Sequence, residues 1–399
     1  MVSVLRSSVV AFVAATGLIL GAAVGPGGDA HAQSLDLTVG DAGISFGDSR
    51  RVIGLRFNFR DRRVEEVIGV NTTIWYPYDN AVGGRVRGMA IGLPVTGAED
   101  IRGITLAVGG AGAGDDLIGI GAAGLGLGAG GTVGGVMVAG MGVGAGGNLR
   151  GLMVGGLGVG VGGDGRGVLA GGLAAGAGGN SRGLIVGGLA AGAGGSIRGL
   201  AAGGLAVGAG GDMRGLQAGG LAVGAGGNVR GLSVGGLAVG AGGNIQGLNV
   251  GGLAVGAGGN VSGITVAGLG IGAGGEISGI TIAGLGAGSG GAIRGLTITA
   301  GGVASPLVAD LVVAGAGIRA IDLRGAALSA GYVRIGPNGS LRGLTTGLVT
   351  DVRGEHQGLT IGIVNIAREL HGVQLGLINI AHSNRPGLRI LPIMNADFR

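Results

Sequence analysis

The sequence predicts an all-β fold, a β-solenoid built from 16-residue, glycine-rich coils with irregular caps at both ends. Three observations lead to this prediction: a repeat of fixed period, alternation of apolar residues within each repeat, and paired glycines between the alternating runs. Glycine accounts for 107 of the 399 residues, whereas charged residues make up 12% and aromatic residues 2%. This apolar composition argues against disorder, and the low proline content without a G-X-Y period excludes collagen.

The repeat keeps one fixed 16-residue period and runs without insertion through twelve units, from Arg102 to Ile293. Strict internal periodicity of this length is typical of stacked repeat architectures. A single unit cannot bury its own apolar face, so neighbouring units must stack. Stacking in register at ~4.8 Å per coil pairs the backbone groups. The lack of insertions follows, because an extra residue would interrupt the ladders on both sides of it.

The unit GGLAVGAGGNVRGLSV, residues 219–234, represents the repeat. Apolar residues alternate with small or polar ones in two short runs, which indicates β-strands. The glycine pairs at 219–220 and 226–227 are predicted to form corners, because glycine accepts positive φ without a Cβ clash. The same glycines exclude a helix, since each costs about 1 kcal/mol relative to alanine. We expect the apolar side chains of this unit to face the core: Leu221, Val223, Val229, Leu232 and Val234.

An outer-membrane β-barrel is the alternative architecture. Membrane-spanning strands need about 9–11 residues and are flanked by girdles of aromatic side chains. The runs in this repeat are shorter, and the repeat region contains no Trp, Tyr or Phe. The solenoid is therefore favoured over the barrel.

The N-terminus has the pattern of a cleaved signal peptide, residues 1–32. Arg6 supplies the positive charge, an apolar stretch follows, and Ala30-His31-Ala32 matches an A-x-A cleavage site. The alternative is an uncleaved membrane anchor. After cleavage we expect three regions: an N-terminal cap with irregular coils (33–101), the twelve repeats (102–293), and irregular C-terminal coils with a cap (294–399).

One repeat position carries the candidate binding site. In a stacked solenoid its arginines would lie in a column: Arg150, Arg166, Arg182, Arg198, Arg214 and Arg230. Like charges ~5 Å apart repel one another unless they are solvated or paired with an anion. The column is interpreted either as a stripe that binds an anionic polymer or as a solubilising edge that prevents lateral sheet pairing.

Other polar positions have structural interpretations. The corner position that holds Asn148, Asp164 and their equivalents is occupied by residues that favour turns. A short run of threonines, Thr265, Thr281, Thr297 and Thr299, either orders water on an outer face or reflects the strand preference of threonine. The three histidines beyond the signal peptide, at positions 356, 371 and 382, are expected at the surface or at corners.

No catalytic residues, metal ligands or cofactor site are predicted. The chain contains no Cys, which excludes disulfides and thiolate chemistry, and no Lys, which excludes a Walker A motif. Apart from the neighbouring Glu355, no carboxylate lies at triad or metal-ligand spacing from a histidine. The formal charge of +5 is modest for this length, so nucleic acid is not an expected partner.

The ends of the chain resemble a family of uncharacterised bacterial surface-repeat proteins. Residues 358–367 and 372–381 match a G-(L/V)-x-(L/I)-G-(L/I)-x-N-(I/V)-A unit, and residues 391–395 match an L-P-(I/L)-x-N ending. VIGLRFNFRD and IGVNTTIW are similar to the opening of such proteins. The resemblance implies export and a surface location, and it supplies no activity or site residues.

The expected function is therefore that of an exported, non-enzymatic structural repeat protein of the cell surface or periplasm, with an adhesin-like role. The alternatives are the outer-membrane barrel and a module that binds anionic polysaccharide through the arginine column. Its expected partner is an anionic surface glycan or another envelope component.

Overall fold

The computed structural model describes residues 34–62, 64–75 and 83–398. Every regular element in these ranges is a β-strand. The predicted signal peptide lies outside the described residues. The described chain forms two compact units, of which unit 1 ends at Gly210 and unit 2 begins at Gly211.

Unit 1 contains strands β1 to β20, in which long and short strands alternate from β5 onward. Their bounds are β1 Leu35–Val39, β2 Ala42–Phe46, β3 Arg51–Asn58, β4 Glu66–Thr73, β5 Arg85–Gly92, β6 Val95–Ala98, β7 Asp100–Ala107, β8 Gly110–Ala113, β9 Leu117–Ala123, β10 Gly126–Ala129, β11 Val133–Ala139, β12 Gly142–Ala145, β13 Leu149–Gly155, β14 Gly158–Val161, β15 Gly165–Gly171, β16 Ala174–Ala177, β17 Ser181–Gly187, β18 Ala190–Ala193, β19 Ile197–Gly203 and β20 Ala206–Ala209.

Unit 2 contains strands β21 to β36 and keeps the same alternation as far as β31. Their bounds are β21 Met213–Gly219, β22 Ala222–Ala225, β23 Val229–Gly235, β24 Ala238–Ala241, β25 Ile245–Gly251, β26 Ala254–Ala257, β27 Val261–Ala267, β28 Gly270–Ala273, β29 Ile277–Ala283, β30 Gly286–Ser289, β31 Ala292–Thr299, β32 Gly302–Ala314, β33 Gly317–Ser329, β34 Tyr332–Ile335, β35 Ser340–Ala381 and β36 Ile390–Asp397.

Within each unit, neighbouring coils pair through parallel strands in strict register. The long strand β23 pairs with β25, so that Val229 lies beside Ile245, and the short strand β24 pairs with β26. One long and one short strand therefore make up each 16-residue coil, and the predicted β-solenoid is confirmed. The pairing becomes antiparallel between β1 and β2 and between β35 and β36.

The core of each coil is thinner than the alternation predicts. In the representative coil, Val223 and Val229 are buried as expected, at 1% and 0% exposure. Leu221 and Val234 are 45% and 40% exposed, and Leu232 is only half-buried. The prediction that these three side chains fill the core is wrong, because they line the outer surface.

A left-handed glycine in the middle of the long strand causes this difference. Gly231 has a φ of 120°, a conformation that glycine adopts without a Cβ clash. The kink turns both Arg230 and Leu232 outward, whereas Val229 and Ser233 both face inward. A Cβ at Gly231 would also collide with the carbonyl oxygen of Gly215 in the preceding coil. Only glycine therefore fits this position.

The corner glycines are required for a different reason from the one predicted. Gly236 follows the long strand and does not adopt a left-handed φ. A Cβ there would collide with the carbonyl oxygen of Gly220 in the preceding coil. Close approach of stacked backbones, rather than a positive φ, selects glycine at this corner.

One inward column of unit 2 is polar. Its members occupy equivalent positions on consecutive coils and are at most 1% exposed: Gln217, Ser233, Asn249, Thr265, Thr281 and Thr297. The Gln217 amide hydrogen-bonds the Ser233 hydroxyl at 2.9 Å. Because the threonines face the core, the interpretation of this run as an outer array that orders water is wrong.

Candidate functional site

The candidate site is the arginine column on the outer side of the long strands. Each arginine occupies the second residue of its strand, directly before the left-handed glycine that kinks the chain. The residue before it is inward and buried, so the strand geometry directs the arginine to solvent. All six predicted arginines are exposed.

The structure brings four of these arginines together in unit 1 and the other two in unit 2. Register pairs Arg150 with Arg166, Arg166 with Arg182, and Arg182 with Arg198. In unit 2, Arg214 pairs with Arg230. The unit 1 column therefore places one guanidinium on each of four consecutive coils, a span of about 14 Å at ~4.8 Å per coil.

Few carboxylates neutralise the column. Arg166 lies 3.8 Å from a carboxylate oxygen of Asp164, and Arg214 lies 3.3 Å from one of Asp212. Both pairs are largely exposed, and such pairs contribute little stability. Within residues 83–398, no ion pair involves Arg150, Arg182, Arg198 or Arg230. Most of the positive charge is therefore open to a ligand.

The corner residues next to the column form a hydrogen-bonded ladder. The Oδ1 of Asp164 accepts the backbone N–H of Asn180 at 2.8 Å, and Asn228 accepts that of Asn244 at 2.9 Å. The Asn180 N–H lowers the pKa of Asp164 most, and the charges of Arg166 and Arg182 lower it further. These side chains therefore cap the corner of the following coil, in line with their structural interpretation.

Further arginines occupy the same position before a left-handed glycine. Arg87 pairs with Arg102 in unit 1, and Arg324 pairs with Arg342 in unit 2. All four are exposed. The fixed 16-residue period does not identify Arg87 or Arg324, because the coil step from Arg87 to Arg102 is shorter than the period and the step from Arg324 to Arg342 is longer. The R-G dipeptide is the sequence signal that identifies all four.

The histidines lie in different environments. His356 is fully buried, so the prediction that it lies at the surface is wrong. Burial lowers its pKa to about 4, and its Nε2 hydrogen-bonds the Thr360 hydroxyl. His371 lies 3.9 Å from the carboxylate of Glu355, and His382 is exposed.

Three carboxylates from consecutive coils meet at one corner of unit 1. Ligand oxygens of Asp100, Asp115 and Asp116 lie within 4.8 Å of one another. Asp100 is paired with Arg85 at 3.2 Å, and Asp116 accepts the backbone N–H of Thr132 at 2.9 Å. Two of the three carboxylates thus already have partners within the fold.

The N-terminal irregular coils contain a buried polar cluster and a stacked aromatic pair. Arg56 is fully buried, pairs with Asp48 and Asp61, and donates to the Asn71 amide oxygen at 2.7 Å. Removing one partner of such a buried pair strongly destabilises a fold. Trp75 stacks on Phe59 at 6.3 Å between ring centroids. The adjoining residues 76–82 of the predicted N-terminal cap lie outside the described residues.

Comparison of the chain with protein-family models, with curated proteins and with solved structures gives no match. In the described ranges, no helix has the length and apolar character that a membrane span requires. The coil stack itself makes the chain a repeat protein with 16-residue coils.

Proposed function

We propose that this chain is a non-enzymatic structural repeat protein of the cell surface or periplasm, with an adhesin-like role, and that its arginine column binds an anionic polymer such as an acidic glycan. The observation that carries the proposal is the in-register column of exposed arginines from Arg150 to Arg198.

The spacing of the column favours a linear polyanion over a single small anion. Neighbouring guanidinium groups ~5 Å apart repel one another by about 1 kcal/mol per pair in bulk water. A ligand with negative charges along its length relieves this repulsion at every coil that it crosses. A small anion relieves it at one or two coils only, and it gains nothing from the rest of the column.

Retention on an immobilised acidic polysaccharide tests this proposal. In the column variant, Arg150, Arg166, Arg182 and Arg198 are all changed to Gln, which removes four charges and keeps hydrogen-bonding capacity. In the control variant, four exposed arginines outside the column are changed in the same way: Arg319, Arg334, Arg353 and Arg385.

The two variants have the same net charge, so they separate the column from bulk electrostatics. We expect the wild type and the control variant to elute at similar salt concentrations and the column variant to elute much earlier. Equal losses in both variants would show that net charge alone retains the protein. Full retention of the column variant would exclude the column as the site.

Export is the second part of the proposal. The signal-peptide pattern around Arg6 and Ala30-His31-Ala32 supports it, as does the resemblance of the chain ends to bacterial surface-repeat proteins. Cell fractionation with protease treatment of intact cells tests the location. We expect a mature chain that begins near Gln33 in the envelope fraction, and recovery of the uncleaved chain in the cytoplasm would contradict export.

A further inference from the structure

Unit 2 exposes a sheet face of large aliphatic side chains. We define the aliphatic face as the two outer columns of its long strands, which lie in register on consecutive coils. One column contains Leu216, Leu232, Leu248, Ile264, Ile280 and Leu296, and the other contains Val234, Val250, Val266, Ile282 and Ile298.

A third column continues the apolar surface at the corner that follows each long strand. It contains Leu221, Leu237, Leu253, Leu269 and Leu285, of which the first four are 45% exposed and the last is 63% exposed. Backbone hydrogen bonds of 2.7–2.8 Å between successive leucines hold this column in register. The exposed aliphatic residues of unit 2 thus form an ordered, repetitive surface.

The area of this surface matches that of a stable interface. Twelve Leu, Ile and Val residues of the three columns are at least 39% exposed. A large aliphatic side chain is smaller than an aromatic one, which buries roughly 150–250 Å², so at 39–63% exposure each presents roughly 60 Å². The twelve therefore present on the order of 700 Å², close to the roughly 800 Å² that each partner buries in a standard-size interface. Monomers rarely expose an apolar patch above about 300–600 Å².

Charge is absent from the centre of the face. The arginine position of the column holds Gln246, Ser262 and Ser278 on three consecutive coils, between Arg230 and Arg294. Three exposed aliphatic side chains, Ile264, Ile280 and Ile282, lie on two of these uncharged coils. An apolar centre with charge at its margin is the anatomy of a protein–protein interface.

We propose that unit 2 packs its aliphatic face against the same face of a second copy of this chain. The regular spacing of the exposed side chains points to this partner. Side chains ~4.8 Å apart along a column interdigitate best with another column of the same spacing. A second copy supplies such a column, whereas a lipid surface has no matching period. Two sheets packed face to face lie about 10 Å apart, and the aliphatic side chains fill that gap.

The arginines lie along one edge of the aliphatic face, which we call its arginine margin. The position of this margin determines the symmetry of the pair. A two-fold axis parallel to the coil stack places the arginine margins of the two copies on opposite sides of the interface. A two-fold axis perpendicular to the stack, within the interface plane, would place the two arginine margins against each other. Like-charge repulsion disfavours the second arrangement. The copies are therefore parallel, and each coil lies beside the same coil of its partner.

Analytical ultracentrifugation of the mature full-length protein at micromolar concentration tests the proposal. The disrupting variant is Ile264→Glu with Ile282→Glu, since both side chains are exposed and both substitutions charge the centre of the face. The matched control is Leu152→Glu, which changes an exposed residue at the equivalent position of unit 1. Circular dichroism checks that each variant retains its strands.

We expect the wild type and Leu152→Glu to sediment as dimers. The double variant should have a dimer dissociation constant that is higher by about 100-fold or more. A monomeric wild type, or a double variant that remains dimeric, would overturn the proposal. Binding of a monomeric wild type to neutral phosphatidylcholine vesicles would identify a lipid surface as the occupant and would also overturn it.

The chain contains no Cys, so a single introduced thiol reports the orientation of the two copies. The exposed Leu216 lies in the long strand β21, at one end of the face. In a parallel pair, Leu216→Cys of one copy lies near the same residue of the other, and a short bifunctional maleimide should cross-link the dimer. A dimer that does not cross-link at this position would contradict the parallel arrangement.

Discussion

The left-handed glycine before each outer aliphatic residue is constrained both by its backbone conformation and by the coil that stacks on it. We predict that Gly231→Ala destabilises unit 2 by several kcal/mol, whereas Gly224→Ala stabilises it slightly. Both glycines are exposed and lie in neighbouring strands of the repeat, β23 and β22. They differ in backbone conformation and in what a Cβ would meet.

The expected magnitude follows from two costs at Gly231. A side chain at a φ of 120° is strained by about 1–3 kcal/mol. The new Cβ would also collide with the Gly215 carbonyl oxygen, so the stacked strands must separate and lose ladder hydrogen bonds that contribute about 1 kcal/mol each. The total loss is about 3 kcal/mol. At Gly224 a Cβ would meet nothing within 4 Å, and alanine there changes stability by about 0.4–1 kcal/mol in the favourable direction.

Amide hydrogen exchange measures the loss of stability in each coil separately. A measurement for each coil is needed because repeat arrays need not unfold in a single two-state step. We expect Gly231→Ala to accelerate exchange throughout β23 and its neighbours β21 and β25, whereas Gly224→Ala should leave the exchange rates of these strands unchanged or slower. Equal exchange rates in the two variants would refute the argument that close stacking and left-handed φ select glycine at this position.

Two further predictions concern buried polar groups. Burial lowers the pKa of His356 to about 4 from 6.5, so between these values the unfolded chain binds a proton that the folded chain does not. The free energy of unfolding therefore keeps its full value above pH 6.5 and falls by up to about 3 kcal/mol as the pH drops toward 4. His356→Gln should flatten the acid side of the stability profile, and His382→Gln should not. Asn249 has no hydrogen-bond partner for either side-chain amide atom, so Asn249→Leu should raise the free energy of unfolding by about 1–2 kcal/mol. The control Asn228→Leu should lower it by about 1 kcal/mol, because the Asn244 N–H loses its acceptor. Urea denaturation measures the stability of the two asparagine variants. A destabilised Asn249→Leu would contradict the prediction for Asn249.

The architecture of the repeat could be predicted from the sequence because it depends on period and composition. An uninterrupted 16-residue spacing requires equivalent residues to stack, and the register of Arg150 on Arg166 follows directly. The side on which each apolar residue lies could not be predicted from alternation alone. Alternation allows two choices of inward face, and the kink at Gly231 selects the one that buries Ser233 and exposes Val234.

The irregular coils were less predictable because their spacing varies. The step from Arg87 to Arg102 is shorter than the repeat period and the step from Arg324 to Arg342 is longer, so a fixed period does not align these pairs. The burial of His356 has the same origin, since its inward orientation depends on coils that the regular period does not reach. In such coils the glycine that follows each outward residue is a better guide than residue counting.

The central claim is that the arginines act together as one column rather than as scattered charge. The most direct test measures how the affinity for a defined linear polyanion depends on salt, for the wild type, for Arg166→Gln, for the four-fold column variant and for the charge-matched control. Each phosphate- or carboxylate-bound arginine contributes to counterion release, so the slope of log affinity against log salt should fall by roughly 0.7 per arginine removed from the column. The control should keep the wild-type slope. A control whose slope falls as far as that of the column variant would contradict the claim.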